Sequence, residues 1–154
     1  MTEPRSKSPS LADVTLDEHR ACMAVVSEVE AILDQQPDRG GKWLALLREK
    51  LPELRDTLAT HFAGEEGGPL FRQLPIQAPQ LSGRLSRLEE EHAGILVSVE
   101  ALTDRADKLE DPEVYELREL NAQVQLLIAT IRRHEAEENE LVMQANWDEI
   151  GDGD

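Results

Sequence analysis

Aromatic side chains are scarce in this sequence: two Trp, two Phe and one Tyr amount to 3% of 154 residues. Sheet sandwiches draw on aromatic and β-branched residues, so the shortage turns the first expectation away from β structure and toward helices. Cysteine is scarcer still. Cys22 is the only one, which excludes an intrachain disulfide and any multi-thiolate zinc site and fits a reducing compartment. It lies among apolar residues at helical spacing and reads as a small packed hydrophobe. No apolar run reaches the roughly 18 residues that span a bilayer, and MTEPRSKSPS at the start lacks the apolar centre of a secretory signal. A cytoplasmic protein outside the membrane is expected. Bases are the last shortage: 16 Lys and Arg against 32 Asp and Glu leave a formal charge of -16. A protein that neutralises phosphates needs the opposite balance, so nucleic acid is excluded as a partner and anionic membrane surfaces are disfavoured.

What the chain does have is Leu, Ala and Glu in helical periodicity, in a length that suits one domain. Residues 1–12, polar with Pro4 and Pro9, read as a flexible arm. The domain is expected over 13–145, with 146–154 as an acidic tail whose Trp147 and Ile150 either pad the last helical turn or dock a protein partner. Thr15 and Glu18 make a capping box for a first helix carrying Leu16, Met23, Val26, Val29 and Leu33. A second runs from about Trp43 to Glu66 with Leu44, Leu47, Leu51, Leu54 and Leu58 in steps of three and four, and Pro52 predicts a kink or break near Lys50. The glycines and prolines of 67–80 predict a long loop. A third helix, with Leu81, Leu85, Leu88, Ile95, Val99 and Leu102, ends around Glu110. Asp111 as cap and Pro112 as first helical residue then open a fourth, with Leu117, Leu120, Val124, Leu127, Ile131 and Leu141, whose end, QANWDEIGDGD, is expected to fray. The fold class is therefore all-α, an up-down-up-down antiparallel four-helix bundle.

All four histidines continue these apolar seams. Leu58, His61, Glu65 follow one another on the second helix and Ile131, His134, Glu138, Leu141 on the fourth; His92 stands between Leu88 and Ile95, and His19 between Leu16 and Met23. A seam position comes up about two times in seven, so hits in three helices by chance are rare, about 2%. A single histidine on an apolar face is ordinarily a hydrogen-bonded core residue. Carboxylates are harder to explain away: Glu65 or Glu138 inside a core costs several kcal/mol unless a cation or an ion pair compensates it. Spacing adds an independent argument. From His19 to His61 is 42 residues, from His92 to His134 is 42 again, and each half ends in H-x-x-x-E, so the chain reads as two copies of one hairpin offset by 73. In such a bundle the six side chains converge on one level, and each His-Glu pair at i and i+4 points the same way. Imidazoles and carboxylates without thiolate suit first-row metals, with iron, manganese and zinc all open and redox chemistry at a carboxylate-bridged pair favouring iron.

The pieces DEH at 17–19, HFAGEE at 61–66, EEH at 90–92 and HEAEEN at 134–139 resemble the hemerythrin-like family of histidine-histidine-glutamate cation-binding domains, in family order over about 13–145. The resemblance implies a hemerythrin-like bundle around a non-haem di-iron centre, two iron ions as Fe2+ or Fe3+ with or without an oxo bridge. His19, His61, His92 and His134 are then terminal ligands, and Glu65 and Glu138 bridge. Oxygen-carrying members have one more histidine a turn from the third-helix ligand, where this chain has Leu88 and Leu96. That leaves coordination positions open, water-filled, or taken by a neighbouring carboxylate such as Glu18 or Glu91; alternatively those two orient imidazoles or face solvent.

The first functional expectation is a di-iron protein that binds or senses oxygen, nitric oxide or a peroxide, with redox turnover of peroxidase or oxidase type as an option. The second is an iron sensor, store or donor whose occupancy controls folding and a partner contact. The third is a metal-free helical interaction module. Phe71, Leu74 and Ile76 are expected to fold over the site and control access, the alternative being a plain connector.

Overall fold

The computed structural model describes the backbone of residues 11–38 and 41–152 and the side chains of 19–38 and 41–145. Among the described residues five α-helices follow in order: α1 (Leu11–Leu33), α2 (Lys42–Glu66), α3 (Pro69–Gln77), α4 (Ser82–Lys108) and α5 (Val114–Asp152), with a 3₁₀ turn, Pro79–Leu81, before α4. No strand occurs among the described residues, and no described helix is long and apolar enough to cross a membrane. The four long helices form a ring in which α1 packs on α2 and α5, and α4 on the same two. Each neighbouring pair is antiparallel: Trp43 Nε1 donates to the Ile32 carbonyl at 2.9 Å while His61 meets His19, Asn121 Nδ2 donates to the Leu33 carbonyl at 3.0 Å while Glu138 meets His19, and α4 sets Ala106 against Arg48 and Arg105 against Gln123 at one end and His92 against Glu66 and Glu91 against His134 at the other. This is the up-down-up-down bundle that the seams predict.

Several local expectations change. Helix α2 runs unbroken through Pro52, which is half-buried; the single ladder donor it lacks is outweighed by Leu47, Leu51, Leu54 and Leu58, all fully buried on one stripe. The segment 67–80 is mostly not loop. Pro69 opens α3 at a position where no backbone donor is needed, and Pro75 sits within it. Gly68 makes the tight passage from α2 to α3: a Cβ there would lie 2.9 Å from the Gly64 carbonyl oxygen. Helix α5 begins at Val114, so Pro112 precedes it, and the cap is Glu113, whose N–H donates to Glu116 Oε1 at 3.2 Å while its carbonyl accepts from Leu117 N. Asp111 makes the preceding turn in a left-handed conformation, φ 44. Helix α1 already runs at Leu11, within the expected arm, and α5 continues to Asp152, through the stretch expected to fray. The rest of the arm and the side chains of Thr15, Glu18, Trp147 and Ile150 lie outside the described residues.

The interior has three storeys. A large apolar core including Val29, Leu51, Leu54, Val99, Leu120 and Ile131 fills the half of the bundle nearest the α1–α2 and α4–α5 connections. At the other end Leu70, Leu74, Leu81, Leu85, Leu88 and Leu141 make a smaller core from α3, the start of α4 and the later part of α5. Between them, one turn beyond Leu58, Ile95 and Ile131, lies a layer of buried histidines and glutamates.

Candidate metal centre

All six residues expected from the sequence lie in that layer. His19, His61, Glu65, His92, His134 and Glu138 are each no more than 9% exposed. They do not form one undifferentiated cluster. One set of donor atoms within 4.8 Å of one another comes from His19, His61, Glu65, Glu135 and Glu138, and a second comes from Glu65, His92, His134 and Glu138. Glu65 and Glu138 belong to both.

The two shared carboxylates straddle the sets. Glu65 Oε1 lies 2.5 Å from His61 Nε2, and its Oε2 lies 3.3 Å from His92 Nε2. Glu138 Oε2 lies 2.9 Å from His19 Nε2, while its Oε1 is 2.8 Å from His134 Nε2 and 3.3 Å from His92 Nε2. Each acid thus turns one oxygen to each histidine pair.

Glu135 was not expected from the sequence. It is 4% exposed, and its Oε2 and Oε1 lie 2.6 Å from His19 Nε2 and 3.1 Å from His61 Nε2. The available signal was its spacing of three residues from Glu138, which on a helix sets two acids on neighbouring positions of one face. Nor was Glu66 foreseen: its Oε1 lies 3.2 Å from His92 Nδ1. Glu91 belongs to neither donor set and sets its Oε2 2.8 Å from His134 Nδ1. The side chain of Glu18 lies outside the described residues.

Burial and charge compete here. Burial alone would lower each histidine pKa, yet the surrounding carboxylates outweigh it, raising His19 to about 9 and His61 and His92 to about 10, and shifting His134 upward as well. Burial raises Glu65, whereas contacts with imidazoles hold Glu135 and Glu138 below the ordinary carboxylate range. The protein alone leaves the layer incompletely satisfied. Both oxygens of Glu65, Glu135 Oε2, His134 Nε2 and His19 Nδ1 are buried without a well-directed hydrogen bond. Glu65 Oε1 and His134 Nε2 are nevertheless within 3 Å of a partner of opposite character. Buried polar atoms left without a directed bond, with several donors within 4.8 Å of one another, suit a cation among them.

Rings and groove complete the surroundings. Phe62 stacks on His92, centroids 3.9 Å apart and 9° from parallel, and Phe71 of α3 meets the same imidazole edge-on at 5.4 Å. Of the expected lid residues, Phe71 therefore touches the site, Leu74 is buried in the smaller core, and Ile76, 80% exposed, points away from it. A groove lined by Ala21, Cys22, Thr57, Thr60, His61 and Gly64 reaches the site between α1 and α2. Burial, then the nearby carboxylates, push the Cys22 thiol up to about 12, so it stays protonated, as expected of a packed hydrophobe.

Against known families, the hemerythrin HHE cation binding domain matches residues 10–145. The chain belongs to the hemerythrin family. Comparison with curated proteins and with solved structures gives no match. For a hemerythrin domain, a layer of four imidazoles and three buried carboxylates is a metal-binding site, and its donor chemistry fits: nitrogen and oxygen atoms, no thiolate, and buried carboxylates that only a cation or ion pairs can compensate.

Proposed function

We propose that this hemerythrin domain holds two iron ions and uses them to bind or sense a small ligand: dioxygen, nitric oxide or a peroxide. The observation that carries this reading is the division of Glu65 and Glu138, each with one oxygen toward His19 and His61 and the other toward His92 and His134. Two carboxylates divided in this way suit two cations side by side better than one. His19 and His61 would hold one ion, His92 and His134 the other, with Glu65 and Glu138 between. Iron would supply reversible electron transfer and exchangeable coordination positions; manganese and zinc suit the same donors less selectively. The chain's own residues do the rest. Glu66 and Glu91 fix the imidazoles of His92 and His134 through their outer nitrogens. Phe62, Phe71 and the two apolar storeys exclude bulk water. The missing third-helix histidine, Leu88 and Leu96 standing four residues from His92, favours sensing or redox turnover over plain carriage.

A second reading, an iron sensor or reservoir, is favoured by the number of ionisable groups in the core. Seven buried histidines and glutamates make the metal-free fold costly, so occupancy would be read out as folding and could control a partner contact. Metal analysis and an absorption spectrum of anaerobically purified protein separate the two. Two irons per chain with a near-ultraviolet band that responds reversibly to oxygen support the first. Iron that is released without any spectral response to oxygen, nitric oxide or peroxide supports the second, and protein that takes up no iron when expressed in iron-rich medium sinks both.

A further inference from the structure

An imidazole that binds a metal through one nitrogen ordinarily donates a hydrogen bond from the other, which fixes the ring. The outer nitrogens of His92 and His134 meet Glu66 and Glu91, and that of His19 is sealed in the interior. His61 is different. It is only 9% exposed and turns Nε2 inward to Glu65 and Glu135, yet its Nδ1 meets no acceptor among the described residues and is not sealed. What His61 borders is the groove between α1 and α2.

Size and lining define what that groove fits. Its volume, about 580 Å³, lies within the roughly 300–1,000 Å³ of pockets that take small organic molecules, whereas a single water fills only about 30 Å³. A diatomic ligand needs little more than water does. Ala21, the buried Cys22 and Gly64 give the groove an apolar surface. Thr57 and Thr60, three residues apart on α2, add two hydroxyls that make no hydrogen bond among the described residues, whereas Thr103 and Thr130 return theirs to the carbonyl four residues back. The groove's charged residue, Asp56, is exposed and already paired with Arg55 at 3.1 Å. On a chain of formal charge -16 nothing here compensates an anion, and a cation would meet the N–H edge of a metal-bound imidazole.

We propose that the α1–α2 groove binds a small uncharged organic molecule, its apolar body on Ala21, Cys22 and Gly64 and a carbonyl or hydroxyl oxygen accepting from His61 Nδ1 and bonded to Thr57 or Thr60. The occupant does for His61 what Glu66 and Glu91 do for His92 and His134. Occupancy therefore couples to a metal held on Nε2. That coupling rests on the metal reading above; binding in the groove does not.

Cyclohexanone is a suitable probe, and cyclohexanecarboxylate is its charged counterpart. In full-length protein loaded with zinc, which is diamagnetic, cyclohexanone should saturably shift the amide resonances of Ala21, Thr57, Thr60 and Gly64 and the His61 Nδ1–H proton, and slow zinc loss to a chelator several-fold. The carboxylate should do neither. Gly64→Leu should abolish both effects, because a Cβ at 64 meets nothing within 4 Å and the added side chain has the groove to fill. If that variant does not fold by circular dichroism, Thr57→Val and Thr60→Val together, which keep the shape and remove the hydroxyls, should weaken binding instead. Shifts that do not saturate, equal shifts from the carboxylate, or a variant that responds like wild type would overturn the proposal. So would a His61 proton that the probe leaves unmoved, the result expected of an ordered water only. Protein that takes up no zinc would overturn the metal reading instead, and the amide shifts repeated without zinc would still decide the groove.

Discussion

Glu135 and Glu138 lie one turn apart on α5, and both carboxylates reach the same atom, His19 Nε2, at 2.6 and 2.9 Å. One helix therefore delivers two acids to a histidine on its neighbour, although Glu138 also serves His92 and His134. Removing Glu138 should consequently do more than removing any histidine. Glu138→Ala is expected to lose one or both metals, with affinity falling by at least the 10–100-fold typical of outer-shell changes. Metal content by mass spectrometry after dialysis checks this; two ions retained at unchanged affinity would refute a bridging role.

Acidity should couple to metal uptake. In metal-free protein His19, His61 and His92, raised from 6.5 to about 9, 10 and 10, are imidazolium at pH 7, and each must shed its proton to take a metal. Uptake at pH 7 is expected to release protons into a weakly buffered solution, and apparent affinity to rise with pH. Metal-free stability should run the opposite way. A raised folded pKa contributes stability that is complete below the unfolded 6.5 and is lost as pH climbs through 9 to 10. Urea midpoints of chelated protein at pH 6 and pH 9.5 measure it, and a higher midpoint at pH 9.5 would contradict the histidine assignments.

Glu91 should act as a positioning residue. Its oxygen lies 2.8 Å from His134 Nδ1, so on the two-metal reading Glu91→Gln should keep both metals yet weaken them about 10–100-fold. Dissociation rates into a chelator give the number. Glu119, exposed on the early part of α5 and far along it from the site, serves as the control: Glu119→Gln should leave those rates unchanged.

Phe71 covers His92 from α3 and is partly exposed, whereas Leu74 is wholly buried. Trimming the first should open a path to the site, and trimming the second should loosen the small core. Phe71→Ala is expected to speed azide entry several-fold without altering metal content, measured by stopped flow. Leu74→Ala should instead cost about 2–5 kcal/mol in denaturant unfolding. Equal entry rates for wild type and Phe71→Ala would remove the gating role.

Metal removal should itself lower the melting temperature. A ligand at a hundred times its Kd stabilises a fold by about 2.7 kcal/mol per site, so chelation of both positions should produce a shift of many degrees by circular dichroism. Coincident melting curves with and without metal would count against the sensor reading.

Most of the bundle was legible because helical periodicity is a local property. Leu58, His61 and Glu65 lie within two turns of one helix, so their common face follows from 3.6 residues per turn wherever that helix packs. The 42-residue spacing of the histidines, the same in both hairpins, likewise put the two pairs at one level. The break allowed for at Pro52 does not occur, because a proline's local cost was weighed without the buried leucines that keep α2 continuous through it. The prolines of 67–80 misled likewise, since Pro69 begins α3 rather than preventing it.

Glu135 marks the boundary between the two kinds of information. Adjacent residues on a helix point about 100° apart, so once His134 faces α4, Glu135 must face elsewhere, and sequence says no more than that. Only the packing of α5 against both α1 and α4 makes that second direction an interior one, aimed at His19 and His61. The sequence alone determined which residues share a helical face and therefore which six could meet. The tertiary structure decided how wide the buried stripe of α5 is, and with it that seven groups meet, because burial on two faces requires two neighbouring helices and no local pattern records where neighbours stand.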